Sequence, residues 1–463
     1  MTVLSVLTNG LCVGCGACAA ACPSVMMNWT TSGQLVAELG ENSDSAALDL
    51  ICPFSDLATD ETILGAAEYA RVCPRHDGML GWYIGTYVGY VSDVSLRERS
   101  SSGGLGRWLL GALLRGHHVD YCIHVAQCAS DEAGGPLFEY RISSTAEEVY
   151  KTARSAYYPV HMGAVLREVV QRPGRYVITG VPCFIKAVRL LQRQNELIRE
   201  RIRFTLGLFC GHLKSRLFAE MLAWQLGVGP DCLRWIEFRD KKASQNAKQK
   251  GVVVRGCDGQ PPRGPEVVSS LFGAEYGLGF FQYEACDFCD DVAAETADVV
   301  VGDAWLPEYI ADPRGTSLVI VRHPKIAEIL QQGCQSGELA LQWIPPERVV
   351  DSQAGAFRHR REGLAYRLYL ANRARRWYPP KRVTPGWRHL DSIRRRIYRL
   401  RIRLREESGQ AFQAAKRFGD FAVFRRRMEP LVARYRRLYM PRLLHRFLRR
   451  LRRAWHLLPF GTK

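Results

Sequence analysis

The sequence predicts a mixed α/β chain (α/β with α+β character) in three parts: a cysteine-rich N-terminal segment, an α/β body and a basic α-helical C-terminal tail. Three observations predict it. Cysteines are spaced two and three residues apart between Cys12 and Cys22. The middle of the chain alternates short β-branched runs with amphipathic stretches, the pattern of strands alternating with helices. The end is rich in arginine, with apolar residues recurring at three- and four-residue steps. At 463 residues the chain exceeds one ordinary core. Its 47% hydrophobic and 24% charged residues exclude wholesale disorder.

Residues 1–80 are expected to form a loop-rich, ferredoxin-like iron–sulfur segment, held by metal more than by a core. The run Cys12-Val-Gly-Cys15-Gly-Ala-Cys18-Ala-Ala-Ala-Cys22-Pro23 has the C-x2-C-x2-C-x3-C-P spacing of bacterial ferredoxins. Three thiolates on such a loop wrap three corners of one [4Fe–4S] cube, and the fourth cysteine usually turns to a different cluster. Gly14, Gly16 and the small Ala17 let the backbone approach the sulfides. Zinc sites normally use two separated pairs, so the triple spacing points to iron. Two Cys-Pro pairs follow, Cys52-Pro53 and Cys73-Pro74. The fourth ligand beside Cys12, Cys15 and Cys18 is therefore Cys22, Cys52 or Cys73, with a distal Cys-Pro favoured.

The body divides into halves, 81–235 and 236–350. In the first, Tyr83–Val91, Tyr121–Ala126, Tyr176–Thr179 and Phe204–Phe209 read as strands, and Leu105–Arg115, Met162–Gln171 and Ile185–Arg193 as helices. The alternation argues a largely parallel sheet. In the second, Asp298–Asp303 and Ser317–Val321 read as strands, with Lys241–Lys250 a polar, mobile loop and Gly259–Pro265 another. Cys183 and Cys210 end or closely follow apolar strands, where the carboxyl ends of parallel strands hold cofactors. A lone buried cysteine is ordinarily a small hydrophobe. Two at strand ends plus the pair Cys286-Asp-Phe-Cys289 make four, the number a second cube requires. Cys122, Cys128, Cys232, Cys257 and Cys334 stand alone, and fifteen cysteines in this grouping argue against a disulfide framework.

Seven ordered stretches carry a family resemblance. They are Ser100-Ser-Ser-Gly-Gly-Leu105, Ser155-Ala-Tyr157, Gly180-Val-Pro-Cys183, Gly207-Leu-Phe-Cys210, Phe238-Arg-Asp-Lys241, Cys286-Asp-Phe-Cys289 and Ala297-Asp-Val-Val-Val-Gly-Asp-Ala-Trp305. In these the body resembles the β subunit of coenzyme F420 hydrogenases and dehydrogenases, with the ferredoxin-like segment fused to it. The resemblance implies a flavin-binding body, with FAD beside an iron–sulfur cluster whose ligands are Cys183, Cys210, Cys286 and Cys289. It implies a flavin site including Ser101, Ser102, Gly103, Gly104, Ser155 and Tyr157. A Ser-Ser-Gly-Gly turn before a helix also presents hydroxyls and free amides where a pyrophosphate is favoured, although such a turn alone is ordinarily a simple cap. Ala156 and Phe184 depart from the family pattern, in segments expected near flavin or acceptor. The fold therefore transfers more safely than F420 as the substrate. Asp298 and Asp303 are candidates for cofactor contact, with a strand-end turn the alternative.

From residue 351 the chain is a tail. Ala371 to Lys463 holds 28 Lys and Arg against 5 Asp and Glu, leaving 36 basic and 41 acidic residues in the rest. A slightly acidic body thus carries a strongly basic tail. Ile393, Ile397, Leu400 and Leu404 form one apolar stripe, and Leu443, Leu444, Phe447, Leu448, Leu451, Trp455 and Leu458 another. Pro430 and Pro441 argue against one continuous helix. Cationic amphipathic helices suit an anionic membrane surface. Packing against the acidic body is an equal reading, and nucleic acid a weaker one.

The reading that follows is an iron–sulfur flavoprotein oxidoreductase. It carries one [4Fe–4S] cluster near the N-terminus, one in the body, and FAD. Electrons pass between a ferredoxin-like carrier and an organic redox substrate, the cofactors carrying the difficult chemistry. His212 is the best-placed acid–base candidate, although a lone histidine is more often structural. The alternative is a non-catalytic iron–sulfur protein whose tail binds membrane or nucleic acid. No stretch approaches the roughly 18 apolar residues of a spanning helix. The first residues lack the basic front and apolar run of a secretion signal. The expected location is cytoplasmic, with association at the cytoplasmic membrane face through the tail as one reading.

Overall fold

The computed structural model describes residues 2–128, 134–152 and 154–440. Its centre is an eight-stranded sheet in the order Leu339–Trp343, Gly85–Val91, Ser317–Val321, Val299–Asp303, Ile202–Leu208, Tyr176–Gly180, Tyr121–Gln127, Phe138–Ser143. Both halves of the body contribute strands. The four strands from Val299–Asp303 to Tyr121–Gln127 run parallel, and the flanking strands pair antiparallel. The sheet is thus mixed rather than largely parallel. Antiparallel neighbours need no long crossover, and the 13-residue link between Asp303 and Ser317 is enough to return the chain beside itself.

The strands read as continuous apolar runs because both faces are covered. Val177, Leu206, Val299, Val301, Val319 and Val321 face the helices Leu105–Arg115 and Pro324–Gln335. Residues one step away, Ile178, Val300, Leu318 and Ile320, belong to the cores on the other side, with Phe184, Ile185 and Val188 of the helix Pro182–Gln194. This is the two-residue period of a strand buried on two sides.

The N-terminal segment has apolar packing of its own with the body, beyond what a metal could supply. Val3, Val6, Leu11, Val25, Ile51 and Phe54 share one core with Met162, Leu166, Phe184 and Val188. The loop Lys241–Lys250, expected to be mobile, is tied at both ends. Lys241 Nζ donates to the carbonyls of Arg97 and Ser102, and Lys250 Nζ to that of Pro313 at 2.7 Å. Cys232 and Cys257, read as lone, form a disulfide across the antiparallel pair Leu233–Asp240 and Gly251–Gly256. Strand pairing, invisible in their 25-residue separation, brings them together.

The described part of the tail folds onto the body. Helices Ser392–Phe418 and Phe421–Tyr439 bury Leu400, Leu404, Phe412, Phe424, Met428 and Val432 against Phe218, Met221, Leu222, Phe280 and Phe281. Ile397 and Leu404 of the first predicted stripe are therefore covered by protein, which removes them from a lipid-facing role. The break between the helices falls at Gly419, where φ is +64°, and Asp420 caps the next helix. Pro430 lies inside that helix, so packing outweighs the roughly 3 kcal/mol that an internal proline costs. Tail cations meet body carboxylates: Lys416 pairs with Glu220 at 3.1 Å, Arg405 with Asp287 at 3.0 Å, and Arg382 with Glu295 at 2.7 Å. The second stripe, Leu443 to Leu458, lies outside the described residues. No described helix is long and apolar enough to cross a membrane.

Asp298 ties three elements together and is 3% exposed. It accepts from Arg189 at 2.9 Å, from Tyr69 of the N-terminal segment at 3.2 Å, and from the Thr205 amide and hydroxyl at 2.7 and 2.9 Å. Removing one side of a buried charge pair costs about 3–5 kcal/mol. Asp298→Ala should destabilise anaerobically purified protein by that amount in denaturant titration, and Asp298→Asn by less. Equal midpoints for wild type and Asp298→Ala would refute the assignment.

Candidate functional site

The first group of thiols forms where the chain turns between the helices Val3–Thr8 and Ala17–Ala21. Gly14 and Gly16 adopt φ of +69° and +78°. A side chain on Gly14 would meet the Leu35 carbonyl oxygen at 2.5 Å. That left-handed, close-packed backbone turns Cys12, Cys15 and Cys18 inward. Cys12 Sγ accepts from the amides of Gly14 at 3.4 Å and Ala37 at 3.5 Å. Cys52 arrives at the end of the helix Ser45–Ile51, whose start is capped by Asp44. Burial, then the neighbouring thiols, push Cys18 up to about 12. Burial likewise pushes Cys52 up to about 12, and Cys12 adds to the rise. Cys15 is raised well above its ordinary value by burial and by Cys18, Cys52 and Cys12. These four thiols share one nest.

Cys22 and Cys73 face other groups. Cys22 turns toward Ser24 Oγ, 3.1 Å away, and that hydrogen bond lowers its pKa. Cys73 donates to the Arg322 carbonyl at 3.2 Å, beneath a different part of the sheet.

The second group gathers at the carboxyl edge of the sheet. Cys183 lies in the first turn of the helix Pro182–Gln194, directly after the strand Tyr176–Gly180. Cys210 follows the adjacent strand Ile202–Leu208. Cys286 and Cys289 sit in and just after the turn Glu284–Phe288. After burial itself, Cys289, Cys210 and Cys286 are the causes that raise Cys183. Burial pushes Cys210 up to about 12 and Cys286 up to about 11. The Leu213 amide donates to Cys286 Sγ at 3.2 Å.

Arg360 stands beside all four thiols, 1% exposed. It donates to the Gly211 carbonyl at 2.7 Å and the Cys286 carbonyl at 3.3 Å, while its Nε has no partner. Among the described residues no carboxylate pairs with it. Burial alone would lower its pKa, and the four thiols turn the shift upward. A buried cation without a counter-charge is costly, so this donor set fits an anionic thiolate-bound cluster better than four neutral thiols. Among the described residues no three His, Cys, Asp or Glu side chains stand as close as ligands of a single ion. A cube places each thiolate on its own iron, so its ligands need not crowd as the ligands of one zinc ion do.

The two nests are neighbours. Cys15 acts on Cys183. Tyr140, whose hydroxyl donates to the Thr179 carbonyl at 3.0 Å, is raised by burial, then by Cys183 and Cys15. Cysteines of both nests pack on the same apolar core.

A cavity of about 340 Å³ opens beside the second nest, within the size range of cofactor sites. Ser101, Ser102, Gly104, Ser155 and Tyr157 line it, together with Cys210 and the carboxyl ends of the parallel strands. Ser155 Oγ donates to Ser101 Oγ at 2.8 Å. Gly104 has φ of +90° and starts the helix Leu105–Arg115, whose first amides receive no side-chain cap. Gly103 is not in the lining. A side chain there would meet the Gly89 carbonyl at 2.5 Å and the Ser317 amide at 2.8 Å, so it serves close backbone approach. Asp303 lines the cavity, held bidentate by Arg239 at 2.8 Å, while Asp298 is committed to the structural network above.

His212 lies between this cavity and a second one. It stacks on Tyr276 with ring centroids 3.9 Å apart. Burial, then Lys214, Arg401 and Arg360, hold its pKa well below the ordinary value. Sequence reading missed Arg360, Tyr140, Tyr276 and Lys214. Lys214 Nζ donates to the Phe280 carbonyl at 2.7 Å and lies over the rings of Phe218 and Tyr276. None carries a spacing signal; Arg360 in particular is one of many arginines near the tail.

Family models match two stretches. Both describe the beta subunit of coenzyme F420 hydrogenase/dehydrogenase: the model of its N terminus covers residues 86–167, and the model of its C terminus covers 174–347. The N-terminal nest and the tail lie outside both. A subunit of the F(420)H(2) dehydrogenase of Methanosarcina mazei is 25% identical over 209 residues, 45% of this chain and 55% of that protein. Coenzyme F420-dependent sulfite reductase of Methanocaldococcus jannaschii is 21% identical over 341 residues, 70% of this chain and 46% of that protein. The chain thus spans about half the length of the curated relatives it matches. A solved F420-reducing [NiFe] hydrogenase complex from Methanosarcina barkeri contains a chain 18% identical, with a TM-score of 0.45, covering 62% of this chain and 92% of that one. With the two models together matching more than half of its residues, the chain belongs to the family of coenzyme F420 hydrogenase/dehydrogenase beta subunits.

Proposed function

We propose that the chain is an iron–sulfur flavoprotein oxidoreductase moving electrons between a one-electron carrier and an organic acceptor. The observation that carries this reading is the gathering of thiols into two adjacent nests on one apolar core, the second opening on a cavity at the sheet's carboxyl edge. Bound [4Fe–4S] cubes supply single-electron storage, and bound FAD supplies the pairing of two electrons.

The chain's residues would hold and tune these groups. Cys12, Cys15, Cys18 and Cys52 would ligate one cube, and Cys183, Cys210, Cys286 and Cys289 the other. The amides on Cys12 and Cys286, and the Arg360 guanidinium, favour negative charge at sulfur. In the cavity, the uncapped amides of the first turn from Leu105 and the side chains of Arg107 and Arg154 suit a pyrophosphate. Leu4, Met26, Leu50 and Leu57, all on the N-terminal segment, are exposed and offer apolar surface for a carrier. Membership in a family whose curated relatives include part of an F(420)H(2) dehydrogenase and an F420-dependent sulfite reductase supports the oxidoreductase class.

Protein prepared without oxygen should contain about eight iron per chain, four for each cube, together with extractable FAD. Cys52→Ser should lose about half of the iron, whereas Cys22→Ser and Cys73→Ser keep it all. Halved iron in Cys73→Ser with full iron in Cys52→Ser would reject this ligand set, and full iron without flavin would reject the flavoprotein reading.

Arg360→Gln should make the potential of one cluster more negative, by on the order of tens of millivolts, because a cation beside the cube favours its reduced form. Arg360→Lys should retain most of the wild-type potential. Redox titration followed by electron paramagnetic resonance reads the shift, and identical midpoints in all three proteins would contradict the assignment.

A further inference from the structure

A second cavity, about 530 Å³, lies between the body and the C-terminal helices. One wall is Gly211, His212 and Tyr276, the aromatic layer that also borders the first cavity. The other walls come from the helices Ala354–Arg360, Ser392–Phe418 and Phe421–Tyr439, all beyond residue 347, where the family match ends.

The lining is strongly cationic. Four arginines border it against one carboxylate, Glu275, among the described residues. Two of them are engaged: Arg436 pairs with Glu275, and Arg394 lies 3.8 Å from Glu362. Arg358 and Arg401 meet no carboxylate among the described residues, and Arg401 shares a hydrogen bond with the Tyr435 hydroxyl.

Two buried imidazoles lack partners at the same place. His212 and His359 are 5% and 7% exposed, and the Nε2 atom of each makes no hydrogen bond. Arg367 donates to Nδ1 of His359 at 3.3 Å, which puts the ring proton on Nε2. The nearest carboxylate oxygen to that Nε2, Asp287 Oδ1, is 3.8 Å away, too far for a hydrogen bond. Buried polar atoms are ordinarily satisfied. A cavity bordered by four arginines and one carboxylate, with two of those arginines meeting no carboxylate among the described residues, favours a ligand that brings negative charge.

We propose that this cavity is a binding site for an organic anion, whose carboxylate or phosphate oxygens lie between Arg358 and Arg401. The inference deepens the oxidoreductase reading by giving the acceptor a chemical class. It rests on that reading only in describing the ligand as an acceptor. One stacked pair of rings, His212 on Tyr276, would separate the anion's cavity from the first.

The test is calorimetric titration of the full chain, purified without oxygen, with inorganic phosphate and separately with succinate, in low-chloride buffer. At least one probe should bind saturably with one site per chain. Arg401→Gln should weaken it by about tenfold or more, and Arg401→Lys by no more than about threefold. Arg417→Gln, an exposed arginine on the same helix, should leave it unchanged. In wild-type protein the same probe should slow amide exchange across residues 354–360 and 392–404, a measurement that does not depend on any variant folding. Absence of saturation by both probes, or equal losses in Arg401→Gln and Arg417→Gln, would overturn the site. Saturable, Arg401-dependent binding in protein that lacks iron and flavin would sustain the site while removing the description of its ligand as a redox acceptor.

Discussion

A guanidinium removed from water needs negative charge nearby, and at Arg360 the groups in position to supply it are four sulfurs. Neutral thiols would leave that cation buried at a cost of several kcal/mol. Thiolates on iron would answer it. Much of the surrounding architecture serves to set this arrangement in place. Two parallel strands deliver Cys183 and Cys210 to one edge, a short turn delivers Cys286 and Cys289, and the start of the tail delivers the cation. The cavity beside them follows from the same topology, since the carboxyl ends of neighbouring parallel strands diverge into a crevice.

The charge asymmetry has a structural explanation as well. A body with a small excess of carboxylates and a tail with a large excess of arginine are complementary surfaces of one molecule. Arg382 shows how closely they mesh, lying within ion-pair distance of Glu295, Asp290 and Glu61 at 13% side-chain exposure. Such partly buried networks resist salt better than exposed pairs. Apolar packing then fixes the geometry, with Phe412 and Phe424 of the tail set against Phe281 of the body. The described tail is thereby part of the fold, with Arg382, Arg405 and Lys416 engaged by body carboxylates. Arg358 and Arg401 are two of the tail cations that meet no carboxylate among the described residues, and both line one cavity.

Residue spacing carried some of this and not the rest. The helix Leu105–Arg115 and the strand Ser317–Val321 are legible to the residue, because apolar periodicity and bounding glycines mark them. The antiparallel flanks were not legible: a β-branched run such as Val299–Asp303 looks the same whichever way its neighbour runs. Cys52 could not be separated from Cys22 or Cys73 by spacing alone, since each stands directly before a proline. In the fold Cys52 comes near Cys12, through a helix that ends beside the cysteine-rich loop. Pro430 shows the opposite failure, a strong local rule overridden by burial of Phe424, Met428 and Val432 on either side of it.

By itself the sequence determined which residue types stand at which spacings: cysteine triplets and pairs of a kind that suits iron, a glycine–serine turn of a kind that suits phosphate, and a basic end. Those are local properties, written in spacing and side-chain type. Only the tertiary structure decided which thiols share a nest, that the two nests adjoin, that the tail closes over the body, and that two histidines and two arginines from distant segments face one space. The physical reason is that proximity across long separations is set by strand pairing and core packing, which no local pattern encodes.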